Sequence, residues 1–299
     1  MDRTKADQSA RTGACGQGMS LRVAYVGPHF GEEPPITGTR GSGTVFFTGC
    51  PLGCAYCQNH QISRGGMGQT MGVDALVGRL ESVVREAGVH NVNFVSPDHF
   101  FPYTFEVVDR LRGSGLRPPV VYNTSGYQAV HTLRMAEDHA DIYLPDYKYS
   151  DPALAAGYSS CPDYPAVALG AIEEMLRQKG PLDTFETGEV VASRGVLVRH
   201  LILPGHVENS MDALTSLFVE FGADLPVSLM SQYCPVPGRL PSNLRRPILR
   251  EEFDRVYDHF RDLGFRNAFV QFPEESAERT GAGFLPDFSK TSPFTGGPS

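Results

Sequence analysis

The sequence predicts an α/β protein built on a mainly parallel β-sheet. Two observations predict it. Short, almost continuously apolar runs bounded by turn residues alternate with longer amphipathic runs of helical period. The strand–helix–strand alternation recurs about six times, which implies right-handed crossovers and a sheet covered on both faces. The pattern leaves open whether six or seven such units close into a partial or full barrel or wind as an open sheet. In each case ligands collect at the C-terminal ends of the strands.

The strand runs are TVFFTG (44–49), VNFVS (92–96), PVVYNTS (119–125), DIYLPDYK (141–148), VLVRHLILP (196–204), PVSLMSQY (226–233) and NAFVQF (267–272). The helical runs lie between them. VDALVGRLESVVREAG sets Val73, Leu76, Leu80, Val83 and Val84 on one face and stops at Gly88. YPAVALGAIEEMLRQKG stops in the same way at Gly180, and ENSMDALTSLFVEFG and LREEFDRVYDHFRDLG close two further segments. Residues 1–20 are small and polar without periodicity, residues 277–299 are rich in Gly, Pro and Ser, and both read as disordered tails around one domain, 21–276.

Of the 299 residues, 41% are hydrophobic and 20% charged, enough for a sizeable core. A net charge of −8 argues against a general nucleic-acid or anionic-membrane surface. No apolar run is long enough to span a bilayer, and the N-terminus lacks the apolar region of a secretory signal, so the expected compartment is the cytoplasm. A reducing compartment disfavours disulfides and turns attention to metal or catalytic cysteines.

Polar residues recur at the predicted strand ends. Cys50, Cys54 and Cys57 follow the first strand, and Asp98 and His99 the second. Asn123, Thr124, Ser125 and Gly126 end the third, and Gln232 follows the sixth. Asp146 with Lys148, and Arg199 with His200, lie inside apolar strands, where charge is expensive unless paired or used. By alternation His200 faces away from Arg199, toward the outside of a barrel.

Three of the six cysteines fall in FFTGCPLGCAYCQNH. Structural zinc wants four ligands, usually as two separated knuckles; His60 is available as a fourth, so zinc stays open. A redox Cys-x-x-Cys leaves Cys50 unexplained. A 4Fe–4S cluster fits better, because one tight loop can supply three corner irons and leave the fourth open. Gly53 lets the loop curl, and Phe46, Phe47 and Leu52 offer apolar cover. Cys161 and Cys234 are single and read as small buried hydrophobes, and Cys15 falls in the tail. GTRGSGT (38–44) lacks the Gly-Lys-Ser/Thr ending of a phosphate loop and reads as a turn.

Cys-x₃-Cys-x-aromatic-Cys after a first strand resembles the signature of radical S-adenosylmethionine (SAM) enzymes. GTRGSGTVFFTGCPLGCAYCQNHQIS, YNTSGY, DIYLPDYKYSD, VRHLILPG and SLMSQY resemble the pyruvate formate-lyase activating enzyme-like group, over about 34–272. The resemblance implies a partial (β/α)₆ barrel, a 4Fe–4S cluster on Cys50, Cys54 and Cys57, and an oxidoreductase that cleaves SAM reductively and abstracts hydrogen. It places Tyr56 against the adenine and Gln232 in a SAM-contacting region. The Gly-Gly-Glu that holds the SAM amine in the activating enzymes is replaced by SPDHF, which offers Asp98 or His99. Asn123, Thr124 and Asp146 match oxygen donors around SAM and a monovalent cation. Lys148 and Arg199 are candidates for the SAM carboxylate, against the alternative of ion pairs with Asp146. The resemblance also implies a glycyl radical enzyme as protein substrate and an electron donor such as flavodoxin or ferredoxin. The alternatives are another protein or a metabolite as substrate, or a non-catalytic iron–sulfur or zinc protein.

Overall fold

Each of the seven predicted strand runs carries a strand in the computed structural model, which describes residues 12–273 and 285–294. The order along the chain is β1 (Arg22–His29), α1 (Pro34–Thr37), β2 (Ser42–Phe47), α2 (His60–Ser63), β3 (Gln69–Thr70), α3 (Val73–Ser82), β4 (Asn91–Val95) and α4 (Phe101–Gly113). There follow β5 (Val120–Thr124), α5 (Val130–Ala136), β6 (Ile142–Pro145), α6 (Pro152–Ser159), α7 (Tyr164–Lys179), α8 (Thr184–Thr187) and β7 (Gly195–Val196). The last elements are β8 (Val198–Leu201), α9 (Val207–Phe221), β9 (Val227–Met230), α10 (Arg250–Leu263) and β10 (Ala268–Val270).

One sheet runs β3-β1-β2-β4-β5-β6-β7 and a second runs β10-β9-β8. The pairs from β2 through β7, and those of the second sheet, are parallel. The predicted run 196–204 is split: β7 pairs with β6, then after Leu197 the chain passes to β9 as β8. A bridge between Asp146 and Arg199 keeps β6 beside β8, so the two sheets form one curved wall. β1 runs antiparallel, against β2 and β3.

Strand alternation gives the wall two faces. Outside, Phe47, Phe94, Tyr122 and Tyr143 form a ladder with ring centroids 5.9, 5.6 and 6.2 Å apart. The helices anchor it. Thr104 of α4 hydrogen-bonds the Tyr122 hydroxyl at 2.8 Å, and the Tyr143 hydroxyl donates to Gln178 of α7 at 2.7 Å. A buried tyrosine hydroxyl needs such a partner. His200 is also on this face, fully buried, with Nδ1–H donating to the Tyr147 carbonyl at 2.7 Å. The inner face carries Thr44, Phe46, Asn91, Asn93, Asn123, Asp146 and Arg199.

Two ordered stretches lie in the segments read as tails. Cys15 and Gln17 are buried, and Gly13 donates to the Gln17 carbonyl at 3.0 Å. A Cβ on Gly49 would come within 2.5 Å of the Cys15 carbonyl, so this stretch lies directly on the turn into the cysteine loop. At the other end, Phe288 and Phe294 pack on Phe46 with centroids 5.4 and 5.1 Å away, and the Phe288 amide donates to Gln61 at 2.7 Å. Isolated phenylalanines in polar sequence carry no period, so only tertiary packing reveals them. Residues 1–11, 274–284 and 295–299 lie outside the described residues.

Candidate functional site

The C-terminal ends of β2, β4, β5 and β6 meet at one mouth, and the cysteine loop follows β2 directly. The loop is pinned on both sides. Gly49 donates to the Ile62 carbonyl of α2 at 3.0 Å, and Ala55 to the Tyr158 carbonyl of α6 at 2.8 Å. Gly53 sits at φ +54 between Cys50 and Cys54, in the region that favours glycine.

The three thiols are neighbours. Burial pushes the Cys50 thiol up, and the thiols of Cys54 and Cys57 push it further. Cys57 is raised by burial and by Cys54, against a lowering hydrogen bond from Ser63. Cys54 is buried and receives a hydrogen bond from Ser159 Oγ at 2.9 Å. Ser159 is in turn bonded to the Tyr149 hydroxyl at 2.8 Å.

Among the described residues, no three His, Cys, Asp or Glu side chains converge on a site for a single metal ion. Zinc bound at about 2.3 Å would draw its thiolate sulfurs to roughly 3.8 Å of one another. A cubane takes one thiolate on each of three irons and leaves the sulfurs farther apart. Three soft thiols on one loop, packed with Leu52 and Tyr56, are a donor set of the kind a 4Fe–4S cluster takes.

Beyond β4, Ser96 takes a left-handed φ of 53, and the chain turns into a short helical turn, Asp98–Phe100. Such a conformation in a non-glycine residue is characteristic of functional loops. Burial pushes the Asp98 carboxyl up to about 7. Gln128 Nε2 donates to Asp98 Oδ1, which leaves Asp98 Oδ2 and Gln128 Oε1 buried without hydrogen-bond partners among the described residues. The Gln128 amide is oriented by chemistry, since a carboxylate takes its NH₂ end. Two acceptors thus stand ready for a cationic donor, beside the Cys50 thiol that Asp98 acts on electrostatically. Nothing in the sequence pattern singles out Gln128. His99 instead bonds the Thr48 carbonyl through Nε2 at 2.8 Å.

Asp146 and Lys148 form a largely buried ion pair at the end of β6. Burial opposes the Lys148 charge, and Asp146 more than offsets it, so its pKa lies above the ordinary lysine value. Lys148 lies close enough to stabilise the Cys57 thiolate. Gly126, at φ +76, has no room for a Cβ, which would meet the Asp146 carbonyl at 2.0 Å. The Tyr164 hydroxyl closes this corner, 2.7 Å from the Asp146 carbonyl and 2.8 Å from that of Ser125.

The structure thus brings Cys50, Cys54, Cys57, Asp98, Asp146 and Lys148 together. Other candidates stand apart. Arg199 is turned toward the strand N-termini, where its guanidinium binds Glu33 at 2.9 Å through Nε, and Glu32 and Glu33 through Nη2. Its ion-pair partners are Glu32 and Glu33, with Asp146 near enough to act on its charge. The loop after β1 has no pattern that places it from sequence, so its two glutamates are invisible there as partners. Asn123 Nδ2 points the same way, to Glu32 at 3.3 Å. Thr124 Oγ1 accepts from Gly126 at 3.5 Å. Tyr56 is buried among Tyr149, Tyr158 and Tyr233, with centroids 6.4, 6.1 and 6.3 Å away. Gln232 bonds Gln271 at 3.2 Å and Met230.

No family model matches the chain. An uncharacterized protein of Methanocaldococcus jannaschii is 23% identical over 237 residues, 77% of this chain. The chain spans 64% of that relative's length. Among solved structures, methylornithine synthase superposes with a TM-score of 0.50 at 13% identity, over 79% of this chain and 68% of that one. SuiB of Streptococcus suis bound to S-adenosylmethionine gives 0.48 at 10% identity, over 74% of this chain and 48% of that one. The likeness to methylornithine synthase concerns the fold alone, and the fold is the expected partial (β/α) barrel with a mainly parallel sheet. No helix among the described residues is long and apolar enough to cross a membrane.

Proposed function

We propose that the protein is a radical SAM enzyme of the activating-enzyme-like type. The observation that carries this reading is the set of three neighbouring thiols on one loop at the barrel mouth, flanked by the unsatisfied acceptors Asp98 Oδ2 and Gln128 Oε1 and by Lys148. Cys50, Cys54 and Cys57 would hold a 4Fe–4S cluster. When bound, the cluster supplies the electron that cleaves SAM to methionine and a 5′-deoxyadenosyl radical. Asp98 and Gln128 would accept hydrogen bonds from the SAM amine, in place of the missing Gly-Gly-Glu. Lys148 would face the carboxylate, held in place by Asp146. The buried aromatic wall around Tyr56 keeps water from the loop.

For the substrate, the same reading favours a protein brought to the mouth, a glycyl radical enzyme being the class the sequence resemblance implies. Flavodoxin or ferredoxin would supply the electron, and the setting would be the cytoplasm. The test is anaerobic. The full chain is reconstituted with iron and sulfide, reduced, given SAM and assayed for 5′-deoxyadenosine. Product from the wild type and none from Cys54→Ala supports the proposal. A colourless protein with tightly bound zinc, or a reducible 4Fe–4S cluster that yields no product with or without added candidate substrates, overturns it.

A further inference from the structure

The floor of the barrel, at the N-terminal ends of the strands, holds an unexplained set of oxygens. Ser42 on β2 is in register with Asn91 on β4, and Thr44 with Asn93 one inward position higher. Ser42, Asn91 and Asn93 are each 0% exposed. Asn91 Nδ2 donates to the Ile36 carbonyl at 2.7 Å, and Asn93 Nδ2 to Glu32 Oε1 at 2.8 Å. A carbonyl and a carboxylate only accept, so chemistry fixes which end of each amide faces them. Asn91 Oδ1, Asn93 Oδ1 and Ser42 Oγ are therefore left without partners among the described residues. Three unsatisfied buried oxygens on adjacent inward positions are costly unless a ligand answers them.

The charge balance identifies the ligand. Glu32 and Glu33 share one guanidinium, that of Arg199, all three being under 10% exposed. One negative charge is in excess. His29, opposite Ser42 in the register of β1 and β2, does not balance it, because burial lowers its pKa and keeps it neutral near pH 7. The four carboxylate oxygens are already engaged, by Arg199, Asn93 and Asn123. A divalent cation, which needs free carboxylates, is poorly served. Neutral oxygens beside a residual negative charge suit an alkali ion.

We propose that this floor binds one monovalent alkali cation, held by Ser42 Oγ, Asn91 Oδ1 and Asn93 Oδ1 and balanced by the Glu32–Glu33–Arg199 group. The site is separate from the mouth and does not depend on the reaction assigned there. Its role is to close the floor, where the same asparagines hold the Glu32–Thr37 segment in place.

The experiment uses the purified full chain in potassium, sodium or choline chloride at equal ionic strength. Thermal unfolding is followed by circular dichroism, and sodium binding by ²³Na relaxation. An alkali ion should raise the midpoint by about 3 °C over choline. Ser42→Ala should lose this difference and the relaxation signal, whereas Asp146→Asn, which alters the mouth, should keep both. A circular dichroism spectrum of Ser42→Ala that matches the wild type in choline shows that the loss is not misfolding. No distinction between alkali ions and choline in the wild type means that water fills the floor and overturns the proposal. A difference lost in Asp146→Asn but kept in Ser42→Ala overturns it equally, by moving the ion to the mouth.

Discussion

Ser159, the last residue of α6, donates a hydrogen bond to Cys54 Sγ at 2.9 Å, across 105 residues of sequence. Both side chains are buried, and Tyr149 orients the hydroxyl. A hydrogen bond to a cluster thiolate stabilises the reduced, more negative state and raises the potential. Ser159→Ala should therefore lower the midpoint of the reconstituted cluster by about 40 mV, the equivalent of a hydrogen bond worth roughly 1 kcal/mol in a one-electron couple. Redox titration followed by electron paramagnetic resonance measures the shift. Iron content should not change, and an unaltered midpoint would refute the coupling.

Arg199 and Lys148 should separate cleanly. Arg199→Met leaves two buried carboxylates without their counter-ion and should cost about 3–5 kcal/mol in urea unfolding. Lys148→Met should cost less stability, because Asp146 is nearer solvent, and should weaken SAM binding to the reconstituted protein by about tenfold. Equilibrium dialysis with SAM distinguishes the two. Weakened binding in a folded Arg199→Met protein would contradict a guanidinium turned away from the mouth.

His200 should limit stability in acid. Burial pushes its pKa down to about 4, while in the unfolded chain it titrates near the ordinary value of about 6.5. The unfolded state therefore binds the proton first. The contribution is complete above about pH 6.5 and is lost as pH falls toward 4, to the extent of about 3 kcal/mol. Urea midpoints measured from pH 7 to 4 should fall less steeply in His200→Gln. Parallel slopes would show that other groups carry the acid sensitivity.

The sequence contains no tryptophan, so Phe294→Trp makes a single-site reporter. Beside His29 and Phe46, with centroids 4.2 and 5.1 Å from the native ring, its emission should be blue-shifted. Adding Phe288→Ala should release the segment and shift emission to the red, with little change in the global unfolding midpoint. Emission already red in the single variant would contradict the packing of residues 285–294.

The strands are legible because parallel strands covered on both faces become nearly pure apolar runs, as in VNFVS and PVVYNTS. β1 is not, because RVAYVGPH contains a glycine and a proline that argue against a strand. The proline is tolerated because β3 covers only Arg22 and Val23, leaving Pro28 at an unpaired edge. α4 escapes a sequence reading because its buried face is made of Phe101, Thr104, Val107, Val108 and Leu111, mostly aromatic and β-branched residues that mimic a strand. At the site, the cysteines announce themselves by spacing. Ser159, Gln128 and Glu32 do not, since each acts through a single atom brought in from a distant element. Such residues leave no local pattern to read.

The Arg199–Glu33 pair spans 166 residues of chain. A ribosome adding about 5–20 residues per second needs roughly 8–33 s to deliver the arginine after the glutamates emerge. Until then the acidic loop after β1 has no counter-charge and stays hydrated. The nascent α/β half therefore cannot seal its lower end early, and its last act of assembly must await the fifth parallel strand run. A truncated chain ending before β8 should remain open at the base, a natural substrate for chaperones while the rest is being made.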